Sequence, residues 1–290
     1  MRPIIFIHNR NSDYLPISLW KARETNPGAD VILLGDWQNA HFGLFTHHAS
    51  QHRYAASART FENSFVNFST NPHQFELICL QRWMILESFL KENRIEECLY
   101  IDSDVLLFDE IESDANRFSK YGMTVAGISG HTCFVSGTET LGAFCNHIRE
   151  AYKDEKAIKI LEEKYAEFRK THEAGGISDM TFFTEFRQKF PDQILDIGVP
   201  IDQRMFDITI TYTSGLQQEH GIKKLEWRNG KPFVSTLSGE ESEMRSLHFQ
   251  GASKQYMLDM AAIPSSTFRG LYATNRAYLL AQKIYNKLIP

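Results

Sequence analysis

Short apolar runs that carry no charge constrain this chain more than any other feature. Ile4-Ile5-Phe6-Ile7, Val31-Ile32-Leu33-Leu34 and Cys98-Leu99-Tyr100-Ile101 are each bounded by polar or turn-forming residues. Runs of this length read as strands buried on both faces, which arise where helices cover both sides of a largely parallel sheet. Between the first two, Leu15, Leu19 and Ala22 recur at helical spacing over residues 14–24. The opening therefore reads β-α-β, and the fold class as α/β.

The same reasoning extends along the chain. Leu77, Leu80, Met84, Leu86 and Phe89 predict a helix over 75–93, and strands are expected over 98–101, 123–128 and 132–136. Residues 141–170 read as largely helical, the second half charged all round as a solvated face would be. A helix over 177–190, a strand over 194–199 and a hairpin over 227–234 turned by Asn229-Gly230 follow. Residues 36–73 lack periodicity and read as a long loop on the nucleotide or substrate side. No repeat or Pro/Gly/Ser linker divides the chain, so a domain over 1–266 and a tail over 267–290 are expected.

Composition narrows the classes. The 290 residues, 42% hydrophobic and 23% charged, suit a soluble globular protein, and a net charge of −5 argues against a general nucleic-acid binder. The four cysteines, Cys79, Cys98, Cys133 and Cys145, form no C-x-x-C pair, so a reducing cytoplasm suits them better than a disulfide framework. No apolar stretch reaches the roughly 18 residues a membrane span needs. The tail carries Arg269, Arg276, Lys283 and Lys287 among Leu271, Tyr278, Leu280, Ile284 and Leu288 without an acid. Two readings stay open: an amphipathic helix packed on the domain, or one resting on an anionic inner-membrane surface.

Chemistry concentrates where the run Cys98-Leu99-Tyr100-Ile101 ends on Asp102-Ser103-Asp104. Open α/β sheets bind ligands beyond the carboxyl ends of their strands. Two carboxylates at i and i+2 on an extended backbone can point the same way, and Mg²⁺ or Mn²⁺ takes oxygen ligands while keeping positions for phosphate oxygens. A polar strand end is the bland alternative. The same string also opens the haloacid-dehalogenase-type phosphatases, with the first Asp as nucleophile. Its place a third of the way along the chain, and Val105 after it, weigh against that rival. Far downstream, His248-Phe249-Gln250-Gly251-Ala252-Ser253-Lys254 gathers an imidazole, a glycine and an ammonium in seven residues.

A D-x-D after a strand joined to a C-terminal H-x-x-G-x-x-K resembles the GT-A glycosyltransferases, in particular the retaining family of glycogenin and the bacterial lipopolysaccharide galactosyltransferases. The resemblance implies a Rossmann-like nucleotide-diphospho-sugar transferase fold with a mixed central sheet. It implies Mn²⁺, or Mg²⁺, held by Asp102, Asp104 and His248. A nucleotide-sugar donor, expected to be a UDP-sugar, would be bound by His8, Asn9, Arg82, Asp102, Ser103, Gly251 and Lys254, with Gly251 permitting close approach to the diphosphate. Lys254 would assist departure of the leaving phosphate. Asp179, following Ser178 at a helix start, resembles the family's acidic residue facing the donor sugar. Met180 stands where that family often has Gln, and Gln255-Tyr256 where it often has Pro-Trp. Asp179 is accordingly expected as a sugar contact, or as a base if the reaction inverts.

The expected function is transfer of a hexose from a nucleotide-diphosphate sugar to a glycan, lipid-linked or protein acceptor, with retention. Two rivals remain: a phosphatase or nucleotidyltransferase using the same aspartates, and a transferase-like fold that binds nucleotide or glycan without turnover.

Overall fold

The computed structural model describes residues 1–263 and 266–288, and for residues 266, 267 and 282–288 the backbone only. Lys283, Lys287, Ile284 and Leu288 of the expected basic tail thus have side chains outside the described residues. The chain forms two compact units, one of Met1–Ala49, Ile101–Asp114 and Ile197–Pro290, the other of Ser50–Tyr100 and Ala115–Asp196.

In the first unit the strand Ile4–Ile7 pairs parallel with Val31–Gly35, Ile4 opposite Val31 and Ile7 opposite Leu34, with the helix Leu15–Thr25 between them in sequence. All four residues of the first strand are buried, as their uncharged pattern requires. A second sheet runs in the order Glu226–Arg228, Lys231–Ser235, Glu241–His248, Val105–Leu107, each neighbour antiparallel. Arg204–Phe206 pairs parallel with Glu241–His248. Asn229 and Gly230 both adopt positive φ, 52° and 77°, which matches the twist of a tight hairpin and is why Asn-Gly stands there. One face of this sheet buries Leu106, Met244 and Leu247 against Ile17, Met257 and Phe268. Phe268, near the start of the helix Ser266–Leu288, is 2% exposed, so the expected tail packs into the unit at that end.

The second unit contains strands in the order Cys98–Ile101, Thr132–Val135, Met123–Val125, Ile194–Asp196. Met123–Val125 is antiparallel to Thr132–Val135 and parallel to Ile194–Asp196, so the pairing is mixed. The helices His73–Asn93, Thr138–Ala151 and Asp179–Lys189 pack through aromatic rings: Trp83 meets Tyr100, Phe144 and Phe183 edge-on, and Phe144 stacks on Phe183 at 4.1 Å.

Four expected boundaries shift. The strand over 123–128 stops at Val125, because Ala126 and Ser129 exchange backbone hydrogen bonds in a tight turn with Gly127 at φ 70°. The strand over 194–199 likewise stops at Asp196. The long helix over 141–170 is two, Thr138–Ala151 and Glu155–Phe168. Asp154 caps the second by accepting from the Ala157 N–H at 2.8 Å, a local bond that competes with continuing the first. Residues 36–73 are not a bare loop: they hold the strand His47–Ser50, the helix Ala56–Glu62 and two 3₁₀ turns. Elements of four to seven residues are too short to leave a period in the sequence.

Candidate active site

In the first unit, Asp102-Ser103-Asp104 is a turn. The Val105 N–H donates to the Asp102 carbonyl at 3.1 Å, and the chain passes directly into the strand Val105–Leu107. The extended backbone expected here is thus absent, because the chain changes sheets within three residues. What brings the two motifs together is the antiparallel ladder of the second sheet. His248 lies opposite Val105, and the Phe249 N–H donates to the Asp104 carbonyl at 2.9 Å, closing a separation of 144 residues between Asp104 and His248.

Asp104 is the centre of the cluster. Its Oδ2 lies 2.6 Å from Lys254 Nζ and its Oδ1 lies 3.5 Å from His248 Nε2. Burial alone would raise the Asp104 carboxyl, but the hydrogen bond and charge of His248 and the charge of Lys254 outweigh it and hold the acid well below its usual range. His248, 6% exposed, is pushed down by burial and up by Asp104, with a net rise. Its Nδ1–H donates to the Ile208 carbonyl at 2.7 Å. With Nδ1–H tied to a carbonyl, Nε2 is the ring nitrogen turned toward Asp104, and it is the nitrogen that a metal ion would take in place of a proton.

The same unit holds the expected residues His8, Asn9, Ser103 and Gly251. Ser103 Oγ meets His8 Nδ1 at 2.8 Å. Burial drives the His8 pKa down to about 4 against the opposing charges of Asp104, Asp36 and Asp102, so at neutral pH this ring is an uncharged hydrogen-bonding group. Asn9 is exposed beyond the end of the first strand. The backbone on either side of it is held by the wholly buried Asn39, whose amide donates to the carbonyls of His8 at 2.9 Å and Arg10 at 2.7 Å. Gly251 has φ 62°, and a Cβ there would meet nothing within 4 Å. Glycine is therefore demanded by the left-handed backbone that turns Lys254 back toward Asp104.

Among the described residues, no group of three or more His, Cys, Asp and Glu is gathered closely enough to hold a metal ion. Asp104 and His248 are neighbours, and Asp102 shares their turn and its charge reaches His248. The set of three is not preassembled, and Lys254 supplies positive charge on Asp104 Oδ2. The donor chemistry fits a hard divalent cation all the same: an anionic carboxylate and an imidazole nitrogen facing each other, with a second carboxylate two residues away.

In the second unit Asp179 is 3% exposed, and its Oδ2 accepts from Arg82 Nη2 at 2.5 Å and from Trp83 Nε1 at 3.1 Å. Ser178 caps the helix as expected, in a reciprocal capping box with Thr181. The structure thus pairs Arg82 and Asp179 with each other.

Sequence reasoning missed Tyr14, whose ring lies 5.2 Å from Lys254 Nζ and meets His8 edge-on at 5.9 Å. It missed Trp83, Ile208 and Asp207 as well. Asp207, a lone acid inside Met205-Phe206-Asp207-Ile208, was the one with a readable signal.

Among the solved structures to which the chain is similar are glycosyltransferases. They include mouse xyloside xylosyltransferase 1 in its apo form (TM-score 0.49, 9% identity, 71% of this chain and 87% of that one). A second is the galactosyltransferase LgtC in complex with donor and acceptor sugar analogues (TM-score 0.42, 10% identity, 92% and 99%). A third is the glycosyltransferase GlyE of Streptococcus pneumoniae (TM-score 0.45, 13% identity, 95% and 64%). No protein-family model matches the chain, and no curated protein does.

Proposed function

We propose that the protein transfers a hexose from a nucleotide-diphosphate sugar, a UDP-sugar by preference, to an acceptor hydroxyl, with a divalent cation and with retention. The observation that carries this reading is Asp104 held between His248 and Lys254: a buried anion, an imidazole turned to one of its oxygens and an ammonium on the other. Asp104 and His248, with Asp102, would hold Mn²⁺ or Mg²⁺, which when bound supplies charge to a diphosphate leaving group.

In the reaction the bond from the anomeric carbon to the β-phosphate oxygen breaks, and a bond from that carbon to the acceptor oxygen forms. The hydroxyl proton is released, and the nucleoside diphosphate leaves. Negative charge therefore grows on the phosphate side. Lys254, in the 3₁₀ turn Gly251–Tyr256 beside Tyr14, provides an ammonium that is worth more to the departing diphosphate than to the intact donor. The uncharged His8 imidazole and the Ser103 hydroxyl offer hydrogen bonds to the nucleotide without adding charge. Within the second unit, Asp179 fixed by Arg82 and Trp83 is assigned to the donor sugar. The acceptor hydroxyl would belong to a glycan, a lipid-linked sugar or a protein.

Incubation with Mn²⁺ and a panel of sugar nucleotides tests the reading. Slow release of nucleoside diphosphate, lost in Asp104→Ala and His248→Ala, is expected. Release of inorganic phosphate would replace transfer by phosphatase chemistry, and binding with no turnover would leave a nucleotide-binding protein. Among the described residues no helix is long and apolar enough to cross a membrane. A membrane role for the helix Ser266–Leu288 is tested by sedimentation with anionic vesicles, where equal binding by a chain ending at Ile263 removes it.

A further inference from the structure

Behind His248 lies a second buried pair that the reaction above does not use. The side chains of Asp207 and Lys223 are 0% and 1% exposed and form an ion pair through Asp207 Oδ1. The other carboxylate oxygen, Oδ2, accepts the backbone N–H of His248 at 3.0 Å. Lys223 Nζ also donates to the Thr209 carbonyl at 2.6 Å, the Lys223 N–H donates to the Ile210 carbonyl at 2.9 Å, and the Ile210 N–H to the His248 carbonyl at 2.9 Å. The Asp207 N–H is itself held by Ser246 Oγ at 3.2 Å.

These bonds share one consequence. The strand Arg204–Phe206 runs beside Glu241–His248 only as far as Phe206, opposite Ser246. Beyond that point side-chain bonds take over from the ladder. The carboxylate of Asp207 receives the His248 backbone from one side, and the ammonium of Lys223 pins residues 207 and 209 on either side of Ile208. The Ile208 carbonyl is thereby fixed where it accepts the His248 Nδ1 proton. A buried ion pair is a poor means of gaining stability, since apolar replacements of similar volume are often as stable, so its presence here points to another role.

We infer that Asp207, with Lys223, is a positioning pair for His248, holding the Ile208 carbonyl and the His248 backbone so that Nδ1 donates to that carbonyl and Nε2 is the ring nitrogen turned toward Asp104 and the cation. The inference rests on the cation reading proposed above for its functional meaning, though not for its structural content.

The ring itself gives a test that needs no variant. In ¹⁵N-histidine-labelled full-length protein in alkaline buffer, where the ring is neutral, long-range imidazole correlations assigned with His248→Gln should show the His248 proton on Nδ1. A proton on Nε2 would overturn the inference. Two double variants supply the rest. Asp207→Leu with Lys223→Met removes both charges and the acceptor for the His248 N–H. Asp207→Asn with Lys223→Met removes the charges and keeps a carbonyl acceptor. With Mn²⁺ alone as probe, followed by the paramagnetic resonance of the free ion, the Leu/Met protein should bind about tenfold more weakly, as expected for loss of a supporting partner of a ligand. The Asn/Met protein should recover most of that loss. A merely structural pair would move the thermal midpoint and leave tautomer and Mn²⁺ binding alike in both variants and the parent, and that result would defeat the assignment. If the parent protein binds no Mn²⁺, the cation reading fails, while the tautomer comparison still decides for or against Asp207.

Discussion

Lys254 Nζ lies 2.6 Å from Asp104 Oδ2, on the opposite carboxylate oxygen from the one that faces His248. A lysine so placed reduces the charge a divalent cation would experience at Asp104, yet would stabilise the departing diphosphate. The two effects separate in Lys254→Met. Its affinity for Mn²⁺, measured on the free ion's resonance, should equal or exceed that of the parent. Its turnover of the nucleotide sugar should fall about 10²–10³-fold, the usual loss when one aimed donor is removed. Unchanged turnover would exclude Lys254 from leaving-group stabilisation.

Asp104→Asn keeps the volume and hydrogen-bonding capacity of the side chain but removes the charge that draws both His248 and Lys254. Folding should survive, with a thermal midpoint within a few degrees of the parent, since the neutral amide still accepts from Lys254. Mn²⁺ binding and nucleoside diphosphate release should both disappear into background. A variant that still binds Mn²⁺ normally would place the cation elsewhere.

Acid should act on a separate cluster in the first unit. Burial would raise the Asp109 carboxyl, but the hydrogen bond from Lys231 and the charge of Arg245 bring it down to about 2. A folded-state value below the unfolded value of about 4 contributes stability that is fully present above that value and is lost as the pH falls toward 2. Asp114, raised by burial despite Arg245, acts with the opposite sign and is unaffected by a change at position 109 except through their mutual repulsion. Urea midpoints followed from pH 5 to pH 2 should therefore fall less steeply in Asp109→Asn than in the parent. Parallel curves would show that the Asp109 contacts do not persist in solution.

The uncharged runs of strands Ile4–Ile7, Val31–Gly35 and Cys98–Ile101 were legible because burial of nearly every residue disfavours charge, a constraint written directly in composition. The helix His73–Asn93 and the Asn229-Gly230 hairpin were legible for similarly local reasons. The meeting of Asp104 with His248 was anticipated only through a resemblance of motifs, since the ladder that joins Val105 to His248 has no local signature. Lys254 on Asp104, Ile208 behind His248 and Trp83 on Asp179 were hidden because each depends on a side chain's direction in three dimensions. The pairing of Arg82 with Asp179, residues expected separately at a donor site, came from that same source.

Trp83 offers the sharpest separation of support from stability in the second unit. Its indole is fully buried among Tyr100, Phe144 and Phe183, while its N–H reaches Asp179 Oδ2 at 3.1 Å. Trp83→Phe keeps an aromatic ring in the cluster but removes the N–H and leaves a small void. The lost hydrogen bond to a carboxylate and the void together should destabilise by about 1–3 kcal/mol. Phe144→Leu, in the same ring cluster but without a contact to Asp179 in its hydrogen bonding, should destabilise to a similar extent. If Asp179 meets the donor sugar, only Trp83→Phe should also lower turnover, on the order of tenfold, because a carboxylate held by Arg82 alone can rotate away from its productive geometry. Equal turnover in the two variants, measured well below their unfolding temperatures, would mean that Asp179 serves the fold through its ion pair and has no part in handling the sugar.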